Sequence, residues 1–288
     1  MPYICPICQQ DLSLLQTKNW VCCNNHQFDK AKEGYVNLLP VQKKKSKDPG
    51  DNKEMMLARR EFLNKGYYQA LSDKVNSLAL KHQPQAAMVL DIGCGEGYYS
   101  HRLVDALQAH NQRNMIHNAS EYSTRACQLY GLDISKTAIK YAAKRYPDMN
   151  FCVASVFEMP FADNFFDLAI RIYAPSKVEE LQRVIKPDGI LITVSPGPKH
   201  HFAIKQKIYA EPRLHSQESL ILEGFDYIEH HQLEYMLELK NEADINHLLN
   251  MTPYAWKLSD LQKQQMAQAG FSCELDFKIE IHRRQKTE

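Results

Sequence analysis

No stretch of the 288-residue chain approaches the roughly 18 consecutive apolar residues of a bilayer-crossing helix, which argues against a helical membrane protein. The opening MPYICPICQQ has neither the cationic start nor the apolar core of a secretory signal, so a cytoplasmic protein is expected. Internal repeats and low-complexity segments are missing as well. Net charge is nearly absent: 35 Lys and Arg against 34 Asp and Glu leave +1. What remains is ordinary globular material, 44% apolar and 24% charged, long enough for two domains or one large core with an appendage.

The small charge is unevenly spread. Residues 1–60 hold ten Lys and Arg against six Asp and Glu, or +4; the rest hold 25 against 28, or −3. The basic excess peaks at QKKKSKDPGDNK, which suits an anionic partner at the N-terminal end or simply a solvated linker.

Of eight cysteines, four (Cys5, Cys8, Cys22 and Cys23) crowd the first 23 residues, and the others are scattered singly. In a reducing compartment such a cluster points to a metal more than to disulfides. Cys5-x2-Cys8 and Cys22-x3-His26 form two ligand pairs 13 residues apart, the pattern of two knuckles completing a tetrahedron. Three thiolates and an imidazole close the shell, so the expectation is one structural Zn2+. Cys23 is an alternative to Cys22, though the spacing to His26 favours Cys22. Forty residues supply little core, so metal binding contributes much of such a module's folding free energy. Trp20, Phe28, Tyr35 and nearby lysines suit RNA bases and phosphates, and equally suit packing on a neighbouring domain.

Residues 41–53, four lysines followed by DPGD, read as a loop, and a helical pattern runs from Lys53 to about Lys81 with a break near Gly66. Short apolar runs at 88–90, 127–135, 150–155, 165–173 and 189–196 read as strands, the last entered through a turn at KPDG. Helical segments at 136–146 and 177–186 lie between them. Alternating strands and helices predict an α/β fold, a Rossmann-like parallel sheet with helices on both faces, plus the small N-terminal zinc-binding module. The tail CELDFKIEIHRR reads as a late edge strand, and the polar segment 110–125 as a surface insertion.

The densest signal is MVLDIGCGEGYYS. Its Gly93-x-Gly95-x-Gly97 differs from a dinucleotide fingerprint, whose last glycine comes one place later. Asp91 also puts a carboxylate beside the loop, where a pyrophosphate would be repelled. S-adenosylmethionine, a sulfonium with a free ammonium and no phosphate, fits better. Asp133, ending LYGLD, is placed to accept from ribose hydroxyls, although it lies 42 residues past Asp91 rather than about 20 past the loop. Ala154, Ser155 and Val156 would flank the adenine. The plainer alternatives are a helix-capping Asp133 and a turn-forming Ser155.

LDIGCGEGYY resembles motif I of class I S-adenosylmethionine-dependent methyltransferases. With CPIC, HQFDKAKEGYVNLLP, DPGD, RIYAPSK and MTPYAW, the chain resembles the bacterial 23S rRNA guanine-N1 methyltransferases as far as about Trp256. That resemblance implies zinc on Cys5, Cys8, Cys22 and His26, and cofactor contacts from Tyr68, Gly95, Glu96, Asp133 and His200. It also implies a 23S rRNA hairpin (helix 35, position 745 by the usual rRNA numbering) as substrate, and a homodimer. The implied layout is a zinc-binding module for RNA recognition over 1–40, a basic linker and helices over 41–84, and the methyltransferase domain over 85–288. RIYAP lies where this fold class keeps substrate residues, so Tyr173 is expected to form the target pocket and Pro175 to stiffen its loop. His200 is a candidate base as well as a cofactor contact, and Arg171 either meets phosphate or is structural. The alternatives are methylation of another RNA or a small molecule, or a non-catalytic zinc RNA-binding protein.

Overall fold

The computed structural model describes residues 2–43, 50, 52–117, 126–217 and 221–286. Part of the lysine run, 44–49, lies outside them. The chain opens with a three-stranded antiparallel sheet of β1 (Ser13–Leu15), β2 (Asn19–Val21) and β3 (Gln27–Asp29). It then contributes β4 (Val36–Asn37) to the main sheet. In α1 (Lys53–Asn64) the Asn52 side chain accepts from the Met55 N–H at the N-terminus. Gly66, at φ 80°, breaks the chain before α2 (Gln69–His82); a residue without Cβ turns there at no steric cost.

Alternation follows: β5 (Met88–Ile92), α3 (Tyr98–His117), β6 (Gln128–Asp133), α4 (Lys136–Arg145), β7 (Asn150–Val153), β8 (Phe166–Ile172), α5 (Val178–Val184) and β9 (Ile185–Pro196). After α6 (Phe202–Ile208) come β10 (Phe225–Leu239), α7 (Glu242–Asn250), α8 (Asp260–Ala269) and β11 (Phe271–Arg284). The eight-stranded sheet has the order β10-β11-β9-β8-β5-β6-β7-β4. β4 to β9 run parallel, whereas β10 and β11 form an antiparallel hairpin laid against β9.

Strands buried on both faces read as continuous apolar runs, and here each face has its own core. Val89, Leu168, Ile170 and Ile192 face one cluster with Phe62, Leu71 and Leu103 of the helices. Leu90, Ile92, Leu132 and Phe161 face the other, together with Tyr3, Leu12 and Leu38 of the N-terminal module. The Tyr3 ring stacks on Phe161 at 5.5 Å and meets Trp20 edge-on at 5.0 Å. Tyr35 is buried in the first core, and Phe28 packs partly buried against the second. Packing on the neighbouring domain is thus one role these aromatics fill.

Three expectations are corrected. The tail strand β11 lies between β9 and β10, so β10 is the edge. KPDG is not a turn ahead of a strand but a kink inside β9: Asp188 sits at φ 63° and the register with β8 shifts between Phe166 and Leu168. Residues 110–117 continue α3 rather than starting an insertion, and 118–125 lie outside the described residues. No helix among the described residues is long and apolar enough to cross a membrane.

Candidate active site and metal centre

At the N-terminal module two tight turns, with Gln9 and Asn25 both at φ 61°, present the expected ligand pairs. The donor atoms of Cys5, Cys8, Cys22 and His26 lie within 4.8 Å of one another. His26 Nδ1 is 3.5 Å from Cys5 Sγ and 3.4 Å from Cys22 Sγ, and Cys8 Sγ is 3.6 Å from Cys22 Sγ. Three thiolates and an imidazole converging on one point fit a tetrahedral Zn2+ with no open position. Cys22 is buried in this group, while Cys23 is exposed, its Sγ 3.9 Å from Gln10 Oε1. Metal analysis of purified variants checks the choice: Cys23→Ser keeps one zinc per chain, and Cys22→Ser loses it.

In the main sheet, β5 has β6 on one side and β8 on the other, so the strand order reverses there. Ligands of open α/β sheets bind outside the strand ends at such a point. A cavity of about 630 Å³ lies there, lined by Tyr68, Asp91, Gly93, Gly95, Glu96, Asp133, Ser155, Tyr173 and His200 among others. Gly97 is not in the lining; its missing Cβ makes room for the Tyr146 ring, 3.0 Å from where that atom would sit. Gly93, at φ 75°, is needed because a Cβ would come within 2.5 Å of Ala174. A Cβ on Gly95 would meet nothing within 4 Å, so that loop backbone lies open to a ligand.

Asp91 is 2% exposed and accepts from Ser100 Oγ at 2.5 Å. Burial pushes its carboxyl up to about 7; the Ser100 bond opposes the shift and nearby Asp133 adds to it. A ligand ammonium beside it would reverse that shift, which is the fit expected for the methionine end of S-adenosylmethionine. Asp133 accepts from Gly95 N–H at 3.1 Å and from Ser135 N–H at 2.8 Å, so it closes the loop and steadies the start of α4. Ser155 Oγ accepts from Phe157 N–H at 3.2 Å, a turn-forming bond made at the cavity wall. Glu96 is likewise buried, its carboxylate taken by Arg60 Nε at 2.6 Å and Arg145 at 3.3 Å.

Across the cavity stand Tyr173 and His200. The Asp276 backbone N–H donates to His200 Nδ1 at 3.2 Å. The neutral ring therefore carries its proton on Nε2, which faces Tyr173 Oη at 3.3 Å. Burial first, then the neighbouring His201 and His215, press the His200 pKa down to about 2. With Nδ1 occupied by the Asp276 N–H and Nε2 protonated toward Tyr173, the neutral ring offers no open lone pair, so its arrangement here is that of a donor rather than a base. The 43% exposure of Tyr173 is exposure to the cavity, and its backbone, at φ 56°, is strained for a bulky residue. His201, at φ 57°, is strained too and bonds Tyr68 Oη through Nε2 at 3.1 Å.

Sequence reasoning missed His201, His215, Arg59, Tyr99 and Tyr254, all of which line the cavity. Tyr99 and Tyr254 had a signal, since they lie within LDIGCGEGYY and MTPYAW, but neither was given a role.

Residues 3–47 match the zinc-ribbon family described as RlmA, N-terminal, and residues 84–250 match a methyltransferase domain family. YxjB of Bacillus subtilis, provisionally named a 23S rRNA (guanine-N1)-methyltransferase, is 31% identical over 261 residues, which is 88% of this chain and 86% of that protein. The 23S rRNA (guanine(748)-N1)-methyltransferase of Streptomyces fradiae is 27% identical over 262 residues, 88% of this chain and 85% of that one. With a zinc ribbon and a cofactor cavity in the places these matches require, the chain belongs to the zinc-ribbon 23S rRNA (guanine-N1)-methyltransferase family, S-adenosylmethionine-dependent enzymes with one structural zinc.

Proposed function

We propose that this enzyme methylates N1 of guanine 745 in the helix 35 hairpin of 23S rRNA, with Tyr173 and His200 acting on the target base. The observation that carries the reading is the neutral Tyr173–His200 pair, facing the Asp91–Gly95–Asp133 side across one cavity. Bound S-adenosylmethionine supplies a methyl on a sulfonium for an in-line displacement governed by alignment. Guanine N1 must lose its proton as it is methylated, and negative charge then gathers on O6. Because His200 Nε2–H donates to Tyr173 Oη, the phenol's own proton is free to point at O6. Neither side chain accepts the N1 proton, which leaves to water. Asp91 and Gly95 take the methionine end and Asp133 the ribose, with Tyr68, Glu96 and Ser155 completing the walls.

Residues 1–40 are proposed to grip the hairpin, supported by exposed Lys18, Lys30 and Lys32 on the zinc module. The linker 41–84 and the domain 85–288 follow behind it. Homodimer formation, implied by the resemblance, belongs to the same proposal. The name of the Streptomyces relative makes guanine 748 the competing position. N1 methylation blocks pairing, so reverse transcription of methylated 23S RNA from cells lacking the gene should stop once, at 745. A stop at 748 moves the target; no stop, with cofactor binding intact, sends the methyl to another acceptor.

A further inference from the structure

A second cavity, of about 250 Å³, is lined by Arg171, Thr193, Ser195, Glu280 and His282, and shares Pro196 and His215 with the cofactor cavity. Arg171 is 6% exposed and comes from the end of β8, two residues before Tyr173. Its Nη1 donates to Ser176 Oγ at 2.6 Å and its Nη2 to Thr193 Oγ1 at 3.2 Å, both neutral hydroxyls. Nε is buried with no hydrogen-bond partner, and so is Nδ1 of His282, which is 4% exposed. Among the described residues no salt bridge reaches the guanidinium; Glu280, 6% exposed in the same cavity, acts on it at longer range and is paired with Lys278 Nζ at 2.9 Å. With Glu280 shared between Arg171 and Lys278, the two cations outnumber the one carboxylate, the buried Nε–H still lacks an acceptor, and the polar cavity beside it is the place where one would reside.

We propose that this cavity binds a phosphate group through Arg171, at a point set by the same strand end that carries Tyr173. Two sources share that chemistry, a phosphate of the RNA strand and free phosphate. The chemistry itself stands on the cavity alone, while assignment to the RNA strand rests on the function proposed above. A guanidinium with an open N–H is suited to phosphate oxygens, and the Ser176 bond ties its position to the Tyr173 loop.

Thermal melting of the zinc-loaded protein in inorganic phosphate against chloride at equal ionic strength tests the site without RNA. Wild type should melt higher in phosphate, and Arg171→Met should lose that rise. Ser195→Asp should lose it too, because it adds a second carboxylate beside Glu280 that repels phosphate while Arg171 stays in place, so folding is not at risk from removal of the guanidinium. In parallel, the salt dependence of KM for 23S RNA should become shallower by about one log unit per log unit of salt in Ser195→Asp, the loss of one phosphate contact. Phosphate protection with an unchanged salt slope would assign the site to free phosphate and overturn the RNA source. No phosphate protection and no slope change would overturn the site altogether. If wild type methylates no RNA, the proposed function falls while the phosphate arm still reads the cavity.

Discussion

Tyr173→Phe lowers kcat by about 10²–10³-fold, the cost of removing one donor aimed at a developing oxyanion, while cofactor affinity stays the same. The phenol accepts from His200 Nε2–H at 3.3 Å, so its own hydrogen is the one available to guanine O6. Phenylalanine keeps the ring for stacking and removes only that hydrogen, whereas Tyr173→Ala should raise KM for RNA as well. At saturating cofactor the wild-type kcat should show no inflection near the ordinary histidine pKa of about 6.5, because burial holds His200 down at about 2. Single-turnover rates across pH read both claims. Unchanged turnover in Tyr173→Phe, or a histidine inflection in wild type, would sink the donor assignment.

Asp91→Asn should weaken S-adenosylmethionine binding by at least about tenfold and abolish its pH dependence. In wild type burial raises the Asp91 carboxyl to about 7, and a bound ammonium favours the ionised form. The dissociation constant should therefore climb as pH falls below about 7, approaching tenfold per unit, and the Asn variant should be flat. Stability moves the other way. A carboxyl whose folded pKa lies above its unfolded value costs stability as pH rises from about 4 to about 7, and the cost is fully present above that. Ligand-free Asp91→Asn should then melt higher than wild type at pH 8 and lose that advantage below pH 4. Calorimetric titration and melting curves at the two pH values provide the check. A variant that binds normally, with the wild-type pH slope, would remove Asp91 from the methionine end.

The glycine loop and the zinc ligands were legible because each depends on residues close together in the chain. Asp91, Gly93 and Gly95 occupy one strand–turn unit, and Cys5 to His26 one pair of knuckles, so residue type and spacing suffice. The β10–β11 hairpin was half hidden: β10 exposes one face, and FDYIEHHQLEYMLEL mixes His, Glu and Gln with its apolar positions, which blurs the period of two. The 110–117 segment looked like an insertion because its polar residues need no buried face to continue α3. KPDG carried turn chemistry, and the structure uses it for a kink within a strand. The chemistry of His200 was out of reach altogether. Its tautomer is set by the backbone N–H of Asp276, 76 residues away, and its neutrality first by burial and then by His201 and His215 packed around it. Even the strain at Tyr173 is invisible in a residue name.

One small pairing has a wider consequence. β4 is only Val36 and Asn37, yet it covers the outer side of β7, the last long parallel strand. A bare parallel edge is a template for other chains. Because β4 hangs from the metal-held module, loss of zinc should uncover the backbone of Cys152 and Val153 and loosen Tyr3 from Phe161 in the core beneath. Zinc-stripped protein should therefore aggregate more readily than the loaded form, its catalytic domain joining its neighbours edge to edge.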